Sequence, residues 1–221
     1  MRIFLQALGI AALIATSAQA AEAKTAPDKM DAAVAAYEAG DLKAAAAGFA
    51  ALSAQRKPLG DFNLAMMHMR GEVPKPNGQL AKRLLERAAA KNLVLAELAL
   101  GQMYEQGLLG KRDLVQANNW YAKAAVHGNT DGQVAIGTAF YLGRGAAKDM
   151  VQAARWFREA ANGGDVGAQY LLASMYESGL GLTADLRLAR YWYDIAARNG
   201  DEAAPTKVKE IDAILAEGPA A

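Results

Sequence analysis

The sequence predicts an all-α fold, an α/α solenoid of stacked helical hairpins following a right-handed superhelix. Three observations carry that expectation. The only tryptophans, Trp120, Trp156 and Trp192, fall 36 residues apart. Gly107, Gly143 and Gly179 keep the same spacing, as do Asp113, Asp149 and Asp185, then Ala124, Ala160 and Ala196, then Gly128, Gly164 and Gly200, with no gap anywhere. A fixed period in this range marks a repeat array. Alanine is abundant throughout, which favours helix by intrinsic propensity. One hairpin cannot bury both faces of its two helices, so each unit needs stacked neighbours to complete a core.

Taken in order, the chain opens with Arg2, an apolar run from Ile3 to Ala15, and the small, polar stretch Thr16-Ser17-Ala18-Gln19-Ala20. This pattern reads as a secretory signal peptide over residues 1–20, cleaved after Ala20. The apolar run is shorter than the ~20 residues a membrane span requires, so no stable membrane insertion is expected after cleavage. Residues 21–27 read as a flexible lead. Residues 28–56 read as a helical hairpin of tetratricopeptide type. Met30, Val34 and Tyr37 share one face of its first helix, and Ala45, Phe49 and Leu52 one face of the second. Between them Gly40 stops one helix and Asp41 caps the next.

Four 36-residue copies follow over 59–202, at 59–94, 95–130, 131–166 and 167–202. The first is fainter: subtracting the period from the later columns gives Gly71, Asn77, Ala81, Leu84, Ala88, Ala89 and Asn92. Asn can stand for Asp as a helix N-cap, and for Gly where a left-handed backbone ends a helix. Each copy reads helix, loop, helix. In the second, Ala96, Leu100, Met103 and Tyr104 recur at helical spacing up to Gly107. Asp113 then caps a second helix, with Gln116 three places on. Ala117, Trp120, Tyr121, Ala124 and Ala125 form its expected buried stripe, and Gly128 ends it. Residues 203–218 read as a C-terminal capping helix, with Pro205 at its first position and Val208, Ile211 and Leu215 on one apolar face.

The string Leu100-Gly101-x-Met103-Tyr104-x-x-Gly107, followed by Asp113-x-x-x-Ala117-x-x-Trp120-Tyr121-x-Lys123-Ala124-Ala125-x-x-Gly128, resembles the Sel-one-like repeat (SLR), a relative of the tetratricopeptide repeat. The first copy departs from it: Leu84 and Leu85 replace the aromatic pair, His68 sits in the Tyr column, and Pro74 and Pro76 occupy the loop. The resemblance implies a solenoid that binds other proteins and has no chemistry of its own. Bacterial members of that family are often secreted, and some act as periplasmic regulators of signalling systems.

The residues agree with a non-catalytic reading. There is no Cys, and 24 Lys and Arg against 23 Asp and Glu leave no basic excess of the kind nucleic-acid binders carry. Gly143-Arg144-Gly145 and Gly179-x-Gly181 lack the following Lys-Ser/Thr of a phosphate loop. No Ser/His/Asp set, S-x-x-K nucleophile or metal-ligand cluster is apparent, so no catalytic residue, metal or cofactor is expected. His68 reads as a packed ring and His127 as a last-turn cation. Arg155, Arg158, Arg187, Arg190 and Arg198 read as a solvated outer face.

The candidate partner-binding positions lie on the first helices, opposite the core stripe: Leu98, Gln102 and Glu105 in the second copy. The register gives Phe62, Met66 and Met69 in the first, Val134, Thr138 and Tyr141 in the third, and Tyr170, Ser174 and Glu177 in the fourth. This would be a concave groove with an apolar, Met-containing end and a polar, acidic end, suited to a protein or peptide segment. In the alternative, the same residues touch neighbouring repeats. The expected function is a non-enzymatic secreted or periplasmic scaffold. The rivals are a periplasmic regulator of a membrane sensor and a cell-wall or β-lactam hydrolase.

Overall fold

The computed structural model describes residues 28–217. Among these described residues there are eleven α-helices and no strand. The leader at 1–20 and the lead at 21–27 lie outside them. The chain divides into two compact units, one ending at Arg112 and one beginning at Asp113.

The first unit holds α1 (Lys29–Glu38), α2 (Leu42–Ala54), α3 (Pro58–Arg70), α4 (Gly78–Ala89) and α5 (Val94–Gln106), each packed on the next. The α1–α2 turn is as short as the sequence implies, with Gly40 left-handed (φ +78°) and the Asp41 carboxylate accepting from Ala44 N at 2.9 Å. Ala33, Ala45, Phe49 and Leu52 bury together, with Met30, Val34 and Tyr37 packed at their edge. The hairpin stacks directly on α3. A Cβ placed on Gly60 would sit 2.5 Å from that of Leu52, so the two backbones meet where there is no side chain to separate them.

The second unit holds α6 (Leu114–Val126), α7 (Thr130–Leu142), α8 (Met150–Asn162), α9 (Val166–Ser178), α10 (Leu186–Arg198) and α11 (Ala204–Glu217), again packed in succession. Its interior alternates small and large residues: Ala153, Ala160 and Ala168 close around Phe157, Leu172 and Met175. Such alternation lets helix backbones approach while the remaining space stays filled.

Repeat columns recur as physical devices. Asp41, Asn77, Asp113, Asp149 and Asp185 each accept the amide three residues on, at 2.9–3.0 Å, and so cap every second helix. Asn129, Asp165 and Asp201 do the same for α7, α9 and α11 at 2.7–2.8 Å. After the second helices, Arg56, Asn92, Gly128, Gly164 and Gly200 are all left-handed, with φ between +57° and +100°. The Asn92 substitution therefore does what its chemistry allows, and Arg56 shows that the column extends one copy further back.

Two expectations are corrected. The tryptophans do not fill the buried stripe; Tyr121, Phe157 and Tyr193 do, while Trp120, Trp156 and Trp192 are half-buried beside them. Adjacent helix positions are about 100° apart, so only one of the two rings can point inward. Lys123 Nζ lies 3.7 Å from the centroid of the Trp120 ring, and the Arg155 guanidinium 5.7 Å from that of Trp156. In the capping helix, Ile211 is buried and Val208 half-buried, but Leu215 is exposed. Ala204, Val208 and Ile211 stand 36 residues after Ala168, Leu172 and Met175, making α11 the first helix of a fifth copy. Leu215 falls in the column of Gly179, beyond the end of that helix.

Candidate functional site

The expected binding positions separate into two kinds. Phe62, Met66 and Leu98 are only 4, 5 and 2% exposed, so they are core residues and offer nothing to a partner. A first helix in a stack has one apolar face toward the preceding second helix and another toward its own, and both read as stripes in the sequence. Met69, Gln102, Glu105, Val134, Thr138, Tyr141, Tyr170, Ser174 and Glu177 are half-buried, with part of each surface open.

In the second unit this face has a defined construction. Tyr141 on α7 packs on Phe157 of α8, ring centroids 6.2 Å apart. Tyr170 on α9 meets Tyr193 of α10 edge to face at 5.0 Å. Glu177, 36 residues after Tyr141, accepts from the Tyr193 hydroxyl at 2.7 Å and pairs with Lys207 of α11 at 3.2 Å. Burial, and then the adjoining Glu177 carboxylate, push the Tyr193 phenol well above its usual value. These contacts fix the rims, while Thr138 and Ser174 occupy equivalent places between them on α7 and α9. In the first unit, Glu105 pairs with Arg112 at 3.7 Å, and Met69 and Gln102 stand on separate helices.

The other candidates resolve locally. The His68 ring is half-buried at the end of α3, and its Nδ1 accepts from Asn77 N at 3.2 Å. His127 is the C-cap residue of α6. Among the arginines, Arg190 pairs with Asp212 and Arg198 with Asp194, while Arg158 donates to the Tyr176 hydroxyl at 2.8 Å. Arg155, Arg158, Arg187 and Arg198 are exposed, in keeping with a solvated face.

One buried polar column escaped the sequence reading: Asp61, Glu97, Gln133 and Gln169, each in the first turn of a first helix. Gln133 Nε2 donates to Ala125 O at 3.3 Å, and Gln169 Nε2 to Ala161 O at 3.2 Å. Each donor reaches back eight residues to a carbonyl at the end of the preceding second helix. In the first copy the same task is divided between two residues. Asp61 holds Arg87 through both carboxylate oxygens, and Arg87 Nη2 donates to Ser53 O at 3.1 Å, eight residues before Asp61. The carboxylate raises the pKa of the Arg87 guanidinium. A recurring polar residue at one fixed place in an otherwise apolar helix was the available signal.

The Sel1 repeat family model matches the chain at 58–93, 94–129, 130–165 and 166–201, one residue earlier than the copies drawn from the tryptophans. The chain belongs to the Sel1 repeat family. Sel1 repeats form helical scaffolds that generally mediate protein–protein interaction and are typically non-enzymatic. The Sel1 array is similar to a Sel1 repeat protein from Oxalobacter formigenes, with 26% identity over 80% of this chain and 73% of that one, TM-score 0.74. It is also similar to a protective antigen of uropathogenic Escherichia coli strains that displays an SLR fold, with 26% identity and TM-score 0.76. That match covers 83% of this chain but 41% of the antigen, so the chain spans about two fifths of its length. No curated protein matches the sequence. Among the described residues no helix is long and apolar enough to cross a membrane, and no cluster of His, Asp and Glu could hold a metal ion.

Proposed function

We propose that this Sel1 repeat protein is a non-enzymatic scaffold, secreted or periplasmic, that holds a protein or peptide segment against the open face of its first helices. The observation that carries the reading is the construction of that face on α7 and α9. Tyr141, Tyr170 and Glu177 are anchored by packed or hydrogen-bonded partners, while Thr138 and Ser174 stay partly open between them. Rigid aromatic rims beside small hydroxyl side chains give an incoming chain apolar contact area at low entropic cost, and hydrogen-bonding groups to read its backbone. The signal-like first twenty residues supply the compartment in this reading.

Site-specific photocrosslinking in the native host tests it. A crosslinker at Thr138 or Ser174 is expected to trap one and the same partner, and one at Val151, exposed on second helix α8, is expected not to. Thr138→Arg combined with Ser174→Arg is expected to cut binding of that partner at least about tenfold, a loss of about 1.4 kcal/mol or more. Equal trapping at all three positions, or full binding by the double variant, removes this face from the argument. Turnover of cell-wall fragments or β-lactams by purified protein would overturn the scaffold role itself.

A further inference from the structure

We infer that the loop of the first copy, residues 71–77, is a latch that the His68 imidazole holds shut at neutral pH and releases in acid. The case begins with a comparison of equivalent bonds. In the third and fourth copies the amide of the second-helix cap residue closes the loop on a backbone carbonyl nine residues earlier: Asp149 N donates to Phe140 O at 3.0 Å, and Asp185 N to Tyr176 O at 2.9 Å. A carbonyl does not titrate in this range, so those closures are indifferent to pH. In the first copy the same donor, Asn77 N, again reaches back nine residues, but to the ring Nδ1 of His68 at 3.2 Å. The His68 carbonyl accepts instead from Gly71 N, at 3.4 Å.

The geometry assigns the protonation state. An N–H donor facing Nδ1 requires a bare ring nitrogen there, so the ring is neutral with its proton on Nε2. Adding a proton to Nδ1 turns the acceptor into a donor and sets two N–H groups against each other. Asn77 is also the residue whose side-chain oxygen caps α4 by accepting from Leu80 N at 2.9 Å. Release of its backbone therefore loosens the loop and the first turn of α4 together.

Surrounding charges do not override this. On α3 itself Arg70 is bonded to Tyr37 of α1, which is bonded in turn to Glu72 of the loop, and Asp61 is held by Arg87 of α4. The remaining ionisable groups on α4 are Lys82, Arg83 and Glu86, the first two of these acting on other partners or solvent: Lys82 pairs with Glu86 at 3.4 Å and Arg83 is exposed. On α2 the ionisable group is Lys43, exposed in the first turn of the helix, and Lys75 of the loop is exposed. Burial alone moves His68, and it moves the pKa below the ordinary 6.5. Because the folded pKa is depressed, the latch is fully closed above the unfolded value, and its stability is lost as pH falls from there through the folded pKa. This inference stands on the first copy alone and is independent of the partner-binding reading.

Amide hydrogen exchange by NMR on the full chain tests it, from about pH 7.5 to about pH 5, after correction for intrinsic exchange rates. The Asn77 protection factor is expected to fall by up to about tenfold per pH unit as the pH drops below the ordinary 6.5, and to level off once it passes below the folded His68 pKa, with Asp149 and Asp185 keeping theirs. Ring nitrogen shifts of His68 are expected to show the Nε2–H form at neutral pH. His68→Tyr, which places the residue of the Tyr176 column there, is expected to abolish the pH dependence at Asn77. An Nδ1–H ring, parallel protection at all three amides, or an unchanged slope in the variant would each overturn the latch; the ring measurement decides even if the variant does not fold.

Discussion

The first copy and the third and fourth copies answer the same geometric demands with different chemistry. Where Gln133 and Gln169 clasp a helix-end carbonyl with a neutral amide, the first copy uses the Asp61–Arg87 ion pair to reach Ser53 O. Where Gly145 and Gly181 lay their backbones on the preceding second helix, the same column in the first copy holds Val73, whose side chain packs into the α1–α2 core instead. Where the later loops close on a carbonyl, the first closes on an imidazole. A repeat column therefore fixes a contact to be made, and leaves the residue that makes it free to change. The third and fourth copies use neutral solutions, and the first copy, which adjoins the α1–α2 hairpin, uses charged and titratable ones.

That contrast can be broken at several points. The largest effect is expected from Gly181→Ala. Its Cβ would lie 2.0 Å from Met150 O at a backbone φ of +73°. Overpacking and left-handed strain together should cost about 3 kcal/mol or more, read as a shift in denaturant midpoint. Gly164→Ala, also left-handed but facing open space, should cost only about 1 kcal/mol, so the difference isolates the backbone contact. Next comes Arg87→Ala, which strands the Asp61 carboxylate at 1% exposure. A loss of about 3 kcal/mol is expected, the low end for a broken buried pair because the guanidinium itself reaches solvent.

Smaller effects sharpen the neutral side. Gln169→Leu removes two hydrogen bonds, the one to Ala161 O and the one its own side-chain oxygen accepts from the Asn199 amide at 3.0 Å, and should cost about 2 kcal/mol at about 1 kcal/mol each. Gln133→Leu should cost only about 1 kcal/mol, because its own carbonyl oxygen is buried with no partner to lose. Smallest is Arg56→Gly, which should stabilise by about 1 kcal/mol by relieving a left-handed side chain at φ +57°.

Much of this architecture is written in the sequence, because caps and helix stops act over three or four residues. Asp113, Asp149 and Asp185 announce their helices, and Asn77 and Asn92 work as their chemistry says. The capping helix runs 204–217 against an expected 203–218. What the sequence leaves open depends on rotation about a helix axis. Trp156 and Phe157 are neighbouring large aromatics, and only the packed structure decides which turns inward. Phe62, Met66 and Leu98 match the register of an open stripe, yet they close against protein because a stacked first helix buries two faces. Asp61 and Arg87, 26 residues apart, form a pair no local pattern announces. His68 stands correctly as a ring in an aromatic column, but its bond to Asn77 depends on the path of a loop.

The central claim, that a column specifies a contact and not a residue, is tested most directly by measuring the unfolding free energy of Arg87→Ala alone and combined with Asp61→Gln. The combined variant copies the arrangement of Gln133 and Gln169, giving a neutral amide eight residues after Ser53 O. It is expected to recover most of the loss, ending within about 1 kcal/mol of the parent chain. A double variant no more stable than Arg87→Ala would show that the ion pair does something an amide cannot, and would contradict the claim.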